Sequence, residues 1–291
     1  MFLKQIFASV LKLFFKINVF EHHFFGVHKR LIKPLNLFEG VTKTIRFKNV
    51  LVLDLDIKDW IPQQLYFLGK YEEKELKFLE SSLRPGDVFV DIGANIGLFS
   101  LVASGLVKEA GKIYAFEPFS SNYTRLASHI SQNGITNIVA EKLAISSGES
   151  SISLSDSSDG LNTGMISEFG SGGEISETVS ATTLDSYKSL HINQPIRFVK
   201  MDIEGGEYNA LRGMQEILTN DRPLLLIELD DRLLVKAGTS AKAIEEWLTR
   251  FNYVKGYLDN NGKMIEIKSR GDESFNCVFV PLAAYPFTIS S

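Results

Sequence analysis

Lys200, Asp202 and Glu204 are spaced by two in the stretch KMDIEGGEY, and Glu207 follows a pair of glycines. In extended chain that spacing puts the first three on one face. Charges at the end of an otherwise apolar strand are costly unless they are paired or used. A carboxylate or neutral lysine so placed can take the proton of an acceptor hydroxyl. Asp202 is the first candidate for that base and Lys200 the second, with Glu204 and Glu207 binding the acceptor or shaping the site. The plainer readings are an ion pair between Lys200 and Asp202, and a helix-start role for Glu207, whose carboxylate the helix dipole favours. A divalent ion is another route to the same chemistry. Asp202 and Glu228 stand at the ends of what could be neighbouring strands, and with Glu204 they offer oxygen ligands to Mg²⁺, which would lower the acceptor's pKa.

A second constellation lies upstream, in VFVDIGANIGLFS (Val88 to Ser100). An apolar strand-like run ends on Asp91 and enters a turn containing Gly93, Asn95 and Gly97. Strand, glycine turn and helix make a site for a nucleotide-like ligand at a helix N-terminus. A dinucleotide fingerprint needs glycine where Asn95 and Leu98 stand, and a P-loop needs Gly-Lys-Ser/Thr, which is missing. A ligand without a pyrophosphate suits the turn better. S-adenosylmethionine (SAM) combines an adenosine, a sulfonium and an amino-acid tail. Its ribose hydroxyls call for a carboxylate at the end of the next strand. GKIYAFEP supplies Glu117 there, 26 positions after Asp91.

Taken together, DIGANIG, AFEP, TTLDSY (Thr182 to Tyr187) and the K-x-D-I-E-G-x-E run from Lys200 to Glu207 resemble, in residues and order, the FkbM family of SAM-dependent methyltransferases. Gly69 to Glu72 (GKYE) and Pro223 to Glu228 (PLLLIE) fit the same pattern, and the resemblance covers roughly residues 45–282. It implies an α/β, class I methyltransferase-like (Rossmann-like) fold: a mostly parallel seven-stranded sheet with helices on both faces. It implies SAM held by Asp91, Gly93, Asn95, Gly97 and Glu117, with Ala144 near the adenine and Tyr71 and Glu72 contributing. Described members of the family mostly methylate hydroxyls on sugars and natural-product scaffolds, so a glycan or small-molecule acceptor is expected. Two alternatives stay open on the residues alone: a nicotinamide-dependent oxidoreductase on the same sheet, and a binding protein that keeps the nucleotide fold without catalysis.

The elements that must position these residues alternate along the chain. Strands are predicted at 88–92, 112–116, 137–143, 196–201 and 223–229, with helices at 96–109, 120–132, 206–218 and 240–251. Strands near 253–258 and 276–281 close the pattern, the last with antiparallel pairing because no helix separates it from its predecessor. Upstream, 44–56 reads as a strand pair turning at Lys48-Asn49, and 71–83 as a helix. Between 146 and 180 the rhythm fails in a Ser/Gly-rich insertion with short strands near 151–154 and 177–182. It reads as a surface excursion or, in a functional role, a lid over the acceptor. The expected division is a basic amphipathic helical extension (1–43), a hairpin and helix (44–83) and the methyltransferase domain (84–291).

Composition bounds the partners. The net charge of -4 over 291 residues argues against a nucleic-acid surface. Residues 1–40 carry six basic and two acidic side chains, +4, which leaves -8 for the rest. Within Met1 to Phe20 the apolar residues Leu3, Ile6, Phe7, Val10, Leu13, Phe14 and Ile17 share one side of a helical wheel, and Lys4, Gln5, Ser9, Lys12 and Lys16 the other. The lysines oppose a membrane span, and no small-residue cleavage site follows. The expected roles are a packing or dimer helix, or peripheral contact with the inner face of a membrane from a cytoplasmic protein. The lone Cys277 excludes an internal disulfide and fits a buried strand position. None of the five histidines stands in a helix-spaced metal motif.

Overall fold

The computed structural model describes residues 2–17, 20, 22–156, 166–167, 175–268 and 275–284. Its contacts separate into two units that divide between Glu72 and Glu73.

In the first unit, helix α1 (Phe2–Phe15) is followed by the short α2 (Phe24–Val27), a π-turn (His28–Ile32) and an antiparallel hairpin of β1 (Thr42–Phe47) and β2 (Leu51–Asp56). The hairpin turns where the sequence places it, with Lys48 and Asn49 at φ of 49° and 62°. Helix α3 (Trp60–Phe67) completes the unit. The core is aromatic: the Phe15 ring lies 5.2 Å from Phe24 and 6.0 Å from Phe67. Helix α1 docks through Ala8 and Phe15, while Phe2, Leu3, Val10, Leu13 and Ile17 are more than half exposed. This is the reverse of an ordinary surface helix, whose apolar stripe faces the core.

The second unit opens with α4 (Glu73–Ser82) and then alternates: β3 (Val88–Ile92), α5 (Leu98–Val107), β4 (Lys112–Phe116), α6 (Ser120–Gln132) and β5 (Ile138–Glu141). After a small second sheet come α7 (Leu184–His191), β10 (Ile196–Met201), α8 (Glu207–Arg212), α9 (Gln215–Asn220), β11 (Leu224–Glu228), α10 (Asp231–Leu234), α11 (Ala241–Thr249), β12 (Tyr253–Leu258), the two-residue β13 (Met264–Ile265) and β14 (Asn276–Pro281). The large sheet has the order β13-β12-β14-β11-β10-β3-β4-β5. Strands β3, β4, β5, β10 and β11 are parallel, and β14 enters antiparallel between β11 and β12. These are the seven expected strands, with β13 added at one edge. All five residues of β3 are buried, as a strand covered on both faces requires. Cys277 is buried in β14.

Two elements differ from the sequence expectation. The helix predicted over 206–218 is two helices, broken at Gly213-Met214. A Cβ on Gly213 would run into the carbonyl oxygen of Ser146, so only glycine fits at the break. The second helix is capped from outside: Asp185 accepts the backbone N–H groups of Glu216 and Ile217, both at 3.0 Å. The Ser/Gly-rich insertion forms a sheet of its own, in the order β6-β9-β7-β8, from β6 (Ala144–Ile145), β7 (Ser150–Asp156), β8 (Ile166–Ser167) and β9 (Ile175–Thr182). Residues 157–165 and 168–174 of the insertion lie outside the described residues.

Candidate active site at the carboxyl ends of strands β3, β4 and β10

From β3 the chain runs outward to β4 and β5, then returns on the other side as β10 and β11. The reversal makes a switch point at the carboxyl ends of β3 and β10, the place where open α/β sheets bind ligands. Both sequence constellations meet there. Asp91 pairs in register with Lys200, and the N–H of Asp202 donates to Ile92 O at 3.1 Å. A Cβ on Gly93 would stand 1.9 Å from Asp202 O, so only glycine lets the two turns touch. Gly93, Asn95 and Gly97 have φ of 80°, 52° and 91°. Glycine reaches this left-handed region freely, and asparagine more readily than most residues. The turn then delivers the chain into α5.

The carboxylate of Glu117, at the end of β4, holds this turn. It accepts the N–H of Asn95 at 2.7 Å through Oε2 and that of Phe119 at 2.9 Å through Oε1. Burial pushes its pKa up to about 7, opposed by those two backbone donors. Phe119 and Ala144 belong to an apolar cluster with Ile152, Leu154, Val179 and Ala181 of the small sheet. Glu177 of β9 ties that sheet to the head of α6, accepting the Ser120 N–H at 2.9 Å and pairing with Lys142.

Asp91 is fully buried. Its Oδ2 accepts the Ser100 hydroxyl at 2.6 Å, while Oδ1 has no hydrogen-bond partner. Lys200 Nζ lies 3.9 Å from that oxygen and 3.4 Å from Asp202 Oδ2, over the ring of Phe99 at 5.1 Å. Burial raises the pKa of Asp91, against the pull of Lys200 and Ser100. Ser100 and Phe99 were missed by sequence reasoning. They read as ordinary first-turn helix residues, and only the fold shows what they face.

Glu207 is buried and turned back on its own loop. Its Oε1 accepts Ile203 N–H at 3.0 Å, and its Oε2 accepts Gly205 N–H at 3.0 Å. Glu207 therefore shapes the loop that carries Glu204, which sits at φ 54°. Burial pushes the pKa of Glu207 up to about 7. Burial also raises that of Glu204, reinforced by the charges of Asp202, Glu207 and Asp230. Asp202, Glu204 and Glu228 are all half-buried, and each offers a carboxylate oxygen within 4.8 Å of the other two. Tyr71 and Glu72 lie at the end of the first unit, with Glu72 at φ 45°.

The site suits a cationic, ribose-bearing ligand. One oxygen of the buried Asp91 carboxyl has no hydrogen bond, with Lys200 only within ion-pair reach at 3.9 Å, and so calls for a donor from the ligand. Each Glu117 oxygen spends one acceptor position on a backbone N–H and keeps capacity for a hydroxyl. SAM brings both partners, a ribose diol and a cationic methionine portion. The fold and these residues define a class I methyltransferase-like protein. Residues 91–255 match the FkbM methyltransferase domain, and with more than half of its length matched the chain belongs to that family of SAM-dependent methyltransferases. The nicotinamide-dependent alternative gives way to that assignment.

Several solved structures are similar. An FkbM methyltransferase from Methylobacillus flagellatus shares 15% identity at a TM-score of 0.46, covering 75% of this chain. This chain spans 52% of that protein's length. A SAM-dependent O-methyltransferase from Thermotoga maritima shares 12% identity at a TM-score of 0.40, with 72% of this chain and 65% of that one covered. TYW2 of M. jannaschii, solved with AdoMet, shares 12% identity at a TM-score of 0.42, with coverage of 82% and 84%. No curated protein matches the sequence.

Proposed function

We propose that this chain is an O-methyltransferase acting on a hydroxyl of a sugar, glycan or natural-product acceptor. The observation that carries the proposal is the half-buried Asp202 carboxylate, 3.4 Å from Lys200 and one strand from the Asp91 oxygen that lacks a hydrogen bond. An oxygen acceptor must lose a proton, and we assign Asp202, with Lys200 at 3.4 Å, to take it at Oδ1 or Oδ2. Bound SAM supplies an electrophilic methyl group on a sulfonium. Asp91, Glu117 and the Gly93–Gly97 turn hold it, with Ala144 and Phe119 offering an apolar wall to the adenine. Lys200 orients the Asp202 carboxylate, and Glu207 fixes the loop that presents Glu204 to the acceptor. Alignment of the two reactants supplies much of the rate in such displacements, up to about 7–11 kcal/mol.

A divalent ion is the second reading, and the convergence of Asp202, Glu204 and Glu228 favours it. Three carboxylates and no nitrogen ligand form a hard-oxygen set suited to Mg²⁺, which would supply Lewis-acid activation of the hydroxyl. The test is methyl transfer from labelled SAM to panels of free sugars, glycans and hydroxylated small molecules, with Mg²⁺ and with chelator. The base reading expects turnover that chelation leaves intact and Asp202→Asn removes. Loss of turnover on chelation would transfer the role to the ion. Methylation confined to nitrogen or carbon acceptors would overturn the proposal.

A further inference from the structure

We propose that the outward face of α1 is a docking surface for an anionic lipid bilayer, with the helix lying in the plane of the headgroups. Phe2, Leu3, Ile6, Val10, Leu13 and Ile17 are 45–80% exposed. With Phe7 and Phe14 they form an arc roughly 140° wide at 100° per residue, and no hydrogen-bonding side chain interrupts it. The opposite face is already used within the unit. Ala8 and Phe15 are buried, Lys12 sits over the Tyr66 ring at 4.3 Å, and Lys43 donates to Gln5 O at 2.9 Å. The helix is therefore held by its more polar side and presents its more apolar side outward. Contiguous exposed apolar surface of this kind marks an interaction site.

Charge selects the occupant. Lys4 and Lys16, both exposed, lie outside the two edges of the arc, past Leu11 and Ser9, and Lys29 and Arg30 of the same segment are also exposed. The first forty residues carry +4 and the remainder -8. An anionic surface attracts the first and repels the second, so contact is confined to this segment. A second copy seated on the same face would bring two +4 segments together. The arc also lacks the directional polar groups by which a protein partner is specified. No helix among the described residues is long and apolar enough to cross a membrane. At 14 residues α1 is about 21 Å long, short of the roughly 30 Å hydrocarbon core, which suits a helix lying at the interface.

The test is co-sedimentation of the full chain with vesicles of phosphatidylcholine, alone and mixed with phosphatidylglycerol. Binding to the mixed vesicles should exceed that to neutral ones by at least about tenfold, since each basic residue near such a surface adds attraction. Val10→Glu with Leu13→Glu should abolish it without lowering the melting temperature. Lys4→Glu with Lys16→Glu should remove the preference for the anionic lipid. As a readout independent of those pairs, Leu13→Trp should shift its fluorescence to the blue on adding mixed vesicles. Equal binding to both vesicle types would overturn the proposal, as would no binding to either. A dimer by light scattering that the Val10/Leu13 variant dissociates, in a protein that ignores vesicles, would assign the face to a second copy instead.

Discussion

At the scale of single residues, the account rests on three carboxylates doing different work. On the proposed mechanism Asp202 accepts the proton, so Asp202→Asn should lower turnover by about 10²–10⁴-fold while S-adenosylhomocysteine binds within about twofold of wild type. Unchanged turnover would remove Asp202 from the mechanism. Glu117 holds the glycine turn, and its raised pKa makes the fold sensitive to pH. Its carboxyl keeps its proton up to about pH 7 in the folded chain, against 4.5 ordinarily. The stability this contributes is fully present below about pH 4.5 and is lost as the pH rises through about 7, a change of roughly 3 kcal/mol. Urea unfolding of wild type and Glu117→Gln at about pH 5 and pH 8 should show wild type losing that margin relative to the variant. A constant difference would contradict it. Glu207 belongs to the same pH window, with its pKa also pushed up to about 7. The residue types at these positions were legible in the sequence. Their division of labour was not, because Glu207 folds back on Ile203 and Gly205 through bonds that only the closed loop defines.

At the scale of elements, glycines and caps decide where chains meet. Gly93→Ala would place a methyl group against Asp202 O at a left-handed φ of 80°. We expect at least about 2–4 kcal/mol of lost stability, since both backbone strain and steric overlap oppose it. Asp185 caps α9 by accepting two backbone N–H groups, so Asp185→Ala should cost about 1–2 kcal/mol. Chemical denaturation measures both. The order of strands and helices in the large sheet was readable because apolar runs and helical periods are local signals. The break at Gly213 was not, because the Ser146 backbone that requires glycine there comes from a distant segment. The small sheet was only half readable. Strand β7 pairs with β9, Ile152 facing Val179, across a long Ser/Gly-rich stretch with little alternation to mark register.

At the scale of the whole molecule, the family is given by the match over residues 91–255, whose motifs meet at one switch point of the sheet, where Asp91 and Lys200 pair across β3 and β10. The helical wheel of α1 showed two faces but not which one would turn inward. That was settled by the aromatic core around Phe15, Phe24 and Phe67. The acidic balance outside residues 1–40 suits a cationic cofactor, although steering by so mild a charge is weak beside hydrogen bonding by the local pair of Asp91 and Glu117. The central claim is that this pair and the Gly93–Gly97 turn bind SAM. Calorimetric titration with S-adenosylhomocysteine, beside NADH, tests it most directly in wild type and Glu117→Ala. The account predicts micromolar binding of the homocysteine compound, none of NADH, and at least about a tenfold weakening in the variant through loss of the hydroxyl-accepting carboxylate. Wild-type protein that binds NADH, or a variant that binds S-adenosylhomocysteine as tightly as wild type, would contradict it.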